Sequence, residues 1–231
     1  MSKLATRPRA LKNTRAGSNR PWVVLSAFPP EIAWLKAYCR ANAVLQSEVI
    51  LGSSGIGLVD AAAGASRLLA GLAPDLRPRG VIFIGTAGAA TLRGQPGIGQ
   101  AVVPDELVLF SHGVADGRAY VPEIMVTRQD AAARLVVRFQ QAGALPAPAA
   151  LCPIGITKKR APAYPRPFVE NLEAFAVARA AATYKLPFAA VLGISNTIGP
   201  NAHGQWKANA KPASEAACQV VARGLFRAPS R

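Results

Sequence analysis

From Trp22 onward the chain alternates short β-branched and apolar runs with longer Ala- and Leu-rich segments, the layering of an α/β domain. The apolar runs predict strands over 22–27, 44–51, 81–85, 101–109, 149–154 and 188–194. Several are apolar at consecutive positions, as strands covered on both faces require. Between them, apolar residues recurring every three or four positions predict helices over 31–41, 60–72, 129–142, 169–184 and 213–226, with Leu172, Phe175, Ala176 and Ala180 as one such stripe. Pro29 and Pro30 precede the first helix and Asp60 is placed to cap the second. The Ala/Pro-rich stretch 143–148 and the stretch 158–167 read as loops. No repeat and no linker divides the chain, so residues 22–231 are expected to form one domain.

Length and composition agree with that reading. The 231 residues are 51% apolar and 17% charged, which excludes a wholly disordered chain, and the 20 Gly and 19 Pro follow no collagen period. The net charge of +15 invites a polyanionic partner. Six of those charges, however, are Lys3, Arg7, Arg9, Lys12, Arg15 and Arg20, in a stretch without an acid, and Arg223, Arg227 and Arg231 stand at the other end. Neither a recognition helix nor aromatic residues among the basic ones accompany them. The expectation is therefore a basic, disordered tail over 1–21 and no specific nucleic-acid partner. The tail has no apolar centre, and 186–206 is interrupted by Pro187, Asn196, Asn201, His203 and Gln205, so neither a signal peptide nor a membrane partner is expected. Cys39, Cys152 and Cys218, with His112 and His203, show no metal-ligand spacing and imply reduced thiols, no metal and a cytoplasmic protein.

Two glycine-containing segments follow predicted strands, Gly55-Ile56-Gly57 and Gly85-Thr86-Ala87-Gly88-Ala89. Each is either a plain turn or a loop that lets a ligand approach the backbone. Neither is a dinucleotide fingerprint, since Asp60 stands where the first would need its third glycine, and no Gly-Lys-Ser/Thr phosphate loop exists. The chain has only twelve acids. Glu31 follows the first strand, and Glu170 and Glu173 open the fourth predicted helix. Carboxylates there either complement the helix dipole or converge over the sheet. In the second case one activates a water and another grips vicinal hydroxyls, an arrangement able to break a glycosidic bond through an oxocarbenium-like transition state.

The motif order resembles the nucleoside phosphorylase/nucleosidase superfamily: Val-Val-Leu-Ser-Ala-Phe-Pro-Pro-Glu31, then Gly55-Ile56-Gly57, then Gly85-Thr86-Ala87-Gly88, then Gly97-Ile98-Gly99-Gln100-Ala101-Val102-Val103. Val169-Glu170-Asn171-Leu172-Glu173-Ala174 and the later Ile194-Ser195-Asn196 complete the set. The methylthioadenosine/S-adenosylhomocysteine nucleosidases normally end the last motif Ser-Asp. Ser-Asn, Trp206 and Val-Glu-Asn-x-Glu look more like the futalosine hydrolase branch of menaquinone biosynthesis. The resemblance covers 22–226.

It implies a twisted mixed β-sheet, partly closed into a barrel and surrounded by helices, and a cofactor-free N-ribosyl hydrolase acting on a small-molecule nucleoside, commonly as a homo-oligomer. By position, Glu31 activates water, Glu173 holds the ribose 2′- and 3′-hydroxyls, and Leu172 replaces a family Met beneath the ribose. Thr86, Ala87 and Gly88 form the wall beside ribose and base. Asn196 orients the purine but is no acid, which fits a 6-oxopurine leaving group or else an inactive nucleoside-binding homologue. Phosphorolysis is the other alternative, and Glu31 opposes it by repelling phosphate. Lys158, Lys159 and Arg160 either meet a substrate carboxylate or are a solvated charge run; His203 either meets a ligand or sits in a surface loop.

Overall fold

The computed structural model describes residues 20–73, 75–90, 96–159, 162 and 164–226. Arg160, Arg227, Arg231 and most of the expected basic tail lie outside the described residues. Arg20 and Pro21 belong to the folded part. The Arg20 guanidinium donates to the carbonyls of Arg77 (2.7 Å) and Pro78 (3.0 Å), and the Pro21 carbonyl accepts from the Arg79 amide (2.9 Å).

In chain order the elements are β1 (Trp22–Ser26), a 3-10 turn (Pro29–Ile32), α1 (Ala33–Arg40), α2 (Ala43–Glu48), β2 (Val49–Ser53), α3 (Gly57–Ala70), β3 (Val81–Ala89), β4 (Ala101–Pro104), β5 (Glu106–Phe110), α4 (His112–Ala115), β6 (Arg128–Asp130), α5 (Ala133–Gln141), β7 (Leu145–Ala147), β8 (Ala149–Pro153), β9 (Phe168–Glu170), α6 (Ala174–Thr183), β10 (Phe188–Thr197) and α7 (Ala202–Phe226). The fold is the expected α/β class, one mixed ten-stranded sheet with helices around it. At its centre β3 runs parallel to β1 and β10, with Leu25 and Ala190 on either side of Phe83. Consecutive residues of these strands, such as Val23, Val24 and Leu25 or Ile82, Phe83 and Ile84, are buried on both faces. That accounts for their unbroken apolar runs.

From β10 the sheet continues antiparallel to β4, and from the far end of β3 it continues through β9 and β8 to β5. The segments β4 and β5 are successive pieces of one extended stretch bent at Pro104-Asp105, and they pair in unchanged register with the equally successive β7 and β8. The sheet therefore curls back toward itself as a partial barrel, with β6 and β7 its open ends.

One interruption positions the site. On one edge of β3, β1 pairs residues 81–84 and β9 pairs residues 88 and 89. Between those ladders no described strand pairs with residues 85–87 on that side.

Several boundaries differ from the sequence reading. Most of the predicted strand 44–51 is α2, which turns only Leu45 fully inward, and the edge strand β2 starts after it. Residues 85–89 are no turn: β3 stays paired with β10 through Ala89. Gly55 and Gly57 do adopt left-handed φ values of 111° and 81°. The start of the predicted helix 129–142 is β6, and residues 168–170 form β9 rather than the start of a helix. Residues 145–147 of a predicted loop form β7. Helix α3 begins at Gly57, which puts Asp60 in its first turn instead of at the cap. Helix α7 starts at Ala202 and runs through Pro212; the proline costs one helical hydrogen bond without ending the helix.

Helix α7 packs along β10 so closely that a Cβ on Gly193 would lie 1.9 Å from the Ala213 carbonyl oxygen. Backbone has little room to retreat there. Gly193→Ala is expected to lose more than about 2 kcal/mol of stability; a thermal or urea midpoint unchanged from wild type would contradict this packing.

Candidate active site

A cavity of about 290 Å³ opens where β3 lacks its neighbour, and it is lined from β3, the turn after β1, the start of α6, the end of β10 and the start of α7. Glu31, Glu173 and Asn196 all line it, as do Thr86, Ala87, Gly88 and Leu172. The sequence leaves open whether carboxylates so far apart in the chain converge or merely complement helix dipoles. In the folded chain Glu31 and Glu173 converge, both buried at this one cavity.

Each carboxylate is held by groups that a missing strand or a helix start leaves free. The Thr86 amide, on the unpaired edge of β3, donates to Glu31 Oε1 (3.1 Å), and the Ala27 amide donates to Oε2 (3.1 Å). The Thr86 hydroxyl also donates to Oε1 (3.2 Å) while accepting from Trp206 Nε1 (3.1 Å), so the indole fixes which way that hydroxyl points. The Thr86 carbonyl, on the same edge, accepts from Asn171 Nδ2 (3.0 Å). Asn171 Oδ1 accepts the amides of Glu173 (3.0 Å) and Ala174 (2.7 Å), which starts α6. Glu173 in turn accepts from the Gly57 amide at the beginning of α3 (2.9 Å) and from Asn171 Nδ2 (3.3 Å).

Burial pushes Glu31 up to about 8, the charge of Glu173 adds to the rise, and the hydrogen bonds from Thr86 and Ala27 oppose it. Burial also raises Glu173, against the pull of the Gly57 amide, the Asn171 side chain and the Leu172 amide. Beneath Glu31 the Cys218 thiol donates to its main-chain carbonyl (3.2 Å), and burial lifts that thiol to about 12, a group that stays protonated. All three cysteines are buried and free.

Asn196 owes its orientation to a bulge. The register between β10 and β3 slips at Ser195, so Ile194 pairs Ala87 and Asn196 pairs Gly88, and both Ser195 and Asn196 reach the cavity. Asn196 Nδ2 donates to the Thr197 carbonyl (3.1 Å) and Oδ1 accepts from the Ser195 hydroxyl (2.8 Å), leaving one N–H unused. A Cβ on Gly88 would lie 2.8 Å from Nδ2. Glycine is needed here for space under the amide, not for an unusual dihedral.

Other cavity residues stand elsewhere than the sequence pattern predicts. Glu170 ends β9 instead of opening a helix, and its carboxylate lines the cavity. Trp206 and His203 belong to the first turns of α7, stacked with ring centroids 5.9 Å apart, and both line the cavity. Ending that helix at Pro212 hides them; continuing it backward puts them three residues apart on one face. Lys158 and Lys159 are exposed and outside the lining, and no described Arg or Lys lines the cavity. Among the described residues no helix is long and apolar enough to cross a membrane, and no group of three or more His, Cys, Asp or Glu is placed to hold a metal ion.

No protein-family model matches the chain, and no curated protein matches it. Solved structures do. A 5′-methylthioadenosine/S-adenosylhomocysteine nucleosidase from Neisseria meningitidis, in complex with methylthio-immucillin-A, superposes with a TM-score of 0.73 at 19% identity over 89% of this chain and 98% of that one. Futalosine hydrolase of Helicobacter pylori gives 0.73 at 13% identity over 89% and 97%. The nucleosidase of Streptococcus pneumoniae, in complex with 8-aminoadenine, gives 0.71 at 20% identity over 89% and 98%. The fold is therefore that of the nucleoside phosphorylase/nucleosidase superfamily, in agreement with the motif order.

The raised Glu31 carboxyl has a consequence for stability. The folded state binds this proton more tightly than the unfolded chain, whose ordinary value is 4.5. Its contribution to stability is whole below that value and is lost as pH rises through about 8. Glu31→Gln, neutral throughout, is expected to exceed wild type in stability at about pH 9 by on the order of a few kcal/mol and to approach it near pH 5. Melting profiles that stay parallel across this range would contradict the buried-acid description.

Proposed function

We propose that this chain is an N-ribosyl hydrolase that cleaves the N-glycosidic bond of a purine nucleoside, and that futalosine is the substrate its motifs favour. The observation that carries the reading is the convergence of Glu31 and Glu173 on one cavity whose wall holds no described Lys or Arg to neutralise them. As the bond from C1′ to the base lengthens, the sugar becomes positive. Two carboxylates stabilise that charge more than they stabilise the neutral nucleoside, which lowers the barrier rather than merely tightening binding.

Each group has a part in this reaction. Glu173, steadied by Gly57 and Asn171, receives the ribose 2′- and 3′-hydroxyls on its two oxygens. Leu172 packs below the sugar, and Thr86 and Ala87 line its side. Glu31 takes a proton from the attacking water, and its raised affinity for protons suits it to that task near neutral pH. The free N–H of Asn196 faces the space over Gly88 and offers a hydrogen bond to the acceptor edge of a purine, N7 with O6 of a 6-oxopurine. Hypoxanthine leaves more readily than adenine, so a site without an acid at this position remains competent. The cavity is small, near the lower limit of ligand pockets. It suits the nucleoside itself, with a larger 5′ substituent passing the exposed rim formed by Ile56, Ile156 and His203.

Phosphorolysis is disfavoured by the same cavity, because Glu31 stands where phosphate would attack and no described arginine lines the wall. The test is a mass-spectrometric measurement of free base from futalosine, aminodeoxyfutalosine, methylthioadenosine and inosine, with and without phosphate. The expected result is phosphate-independent hypoxanthine release, abolished in Glu173→Ala and reduced about 10²–10⁴-fold in Glu31→Gln. No base from any nucleoside, or strict dependence on phosphate, would overturn the proposal. In the active enzyme kcat/KM should rise with pH toward a limb near 8 that Glu31→Gln lacks.

A further inference from the structure

We propose that Glu170 selects the base: its carboxylate accepts the N1–H of a 6-oxopurine, a hydrogen that adenine lacks. The inference rests on the nucleosidase reading, which supplies the place of the sugar. Glu170 is buried, lines the cavity and is used by no step above.

Both of its oxygens are fixed from the protein side. The Thr157 amide donates to Oε1 (3.1 Å) and the Thr157 hydroxyl donates to Oε2. Having given its hydrogen to Glu170, that hydroxyl accepts from His112 Nε2 (3.0 Å), and the imidazole rests edge-on against Phe110 with centroids 5.1 Å apart. Glu170 accepts in both of these bonds, so its remaining lone pairs toward the cavity require a donor. No described Lys or Arg lines the cavity, and the donor must come with the ligand.

Sheet register says which edge of the ligand meets it. Asn196, Gly88 and Glu170 stand in one row across β10, β3 and β9. Two strand spacings separate the outer pair by roughly 9–10 Å, the span of a base with a hydrogen bond on either side. Thr86, on the same face of β3 and roughly 7 Å back, marks the sugar end. A purine extending from there lies over Gly88 with one edge toward Asn196 and the other toward Glu170. With N7 and O6 turned to the free Asn196 N–H, the edge toward Glu170 carries N1, C2 and N3. In hypoxanthine N1 bears a hydrogen, and guanine adds its 2-amino group. In adenine N1 and N3 are bare lone pairs, which a carboxylate repels.

The test compares kcat/KM for inosine, adenosine and 1-methylinosine, and calorimetric affinities for hypoxanthine, adenine and 1-methylhypoxanthine, in wild type, Glu170→Gln and Glu170→Ala. Wild type is expected to favour inosine and hypoxanthine by about 10–100-fold or more, the effect of one hydrogen bond to a charged group. Glu170→Gln narrows that gap. Glu170→Ala, with room for a methyl group, brings the 1-methyl compounds within a few-fold of their parents, which a merely structural loss would not do. If wild type treats inosine and 1-methylinosine alike, or a folded variant keeps the full preference, base selection by Glu170 is overturned while hydrolysis stands. If wild type neither turns over a nucleoside nor binds a base, both readings fall. The methylated compounds on wild type decide the matter even where a variant does not fold.

Discussion

The backbone of Thr86 faces an edge of β3 on which β1 has ended and β9 has not begun. A buried amide and carbonyl without partners would each cost about 1–3 kcal/mol. Glu31 and Asn171 supply the partners a strand would have given. The site residues thereby complete the sheet, and their positions are tied to its register. Asn171 passes the constraint on, since the same side chain starts α6 and contacts Glu173.

This arrangement brings two acids together under burial, an uncomfortable state that the hydrogen bonds offset only in part. Glu31 is pushed up by its surroundings and by Glu173 together. A cationic sugar between them would relieve both effects at once. The same features that make the empty site costly are therefore the ones that would favour a positively charged transition state. Glycines at 85 and 88 keep the floor clear: a Cβ at either would come within 3.0 Å of Phe83 or of Asn196. The bulge at Ser195 then turns Asn196 over the cleared space.

Much of this was legible in the sequence, and unevenly. The doubly covered strands β1, β3 and β10 announce themselves as consecutive apolar runs. The order of motifs around Glu31, Gly55, Gly85 and Glu173 pointed to the fold. What periodicity could not see was set by tertiary pairing. Residues 85–89 read as a glycine turn because glycine usually supplies a dihedral; here it supplies room. Glu170 reads as part of a helix because its stripe continues into α6, whereas pairing with Gly88 and Leu151 makes it a strand end. Trp206 and His203 read as loop residues because Pro212 is a helix breaker by propensity, and packing along β10 overrides it.

The central claim is that Glu31 and Glu173 together recognise a sugar that has become positive. It is tested most directly by calorimetry with two inert ribose analogues of equal shape, one carrying a protonated ring nitrogen and one neutral, each bearing hypoxanthine through a carbon linkage. The account predicts at least about 10²-fold tighter binding of the cation, with most of that preference lost in Glu31→Gln and in Glu173→Gln. Equal affinity for the two analogues, or a preference that survives both substitutions, would contradict it.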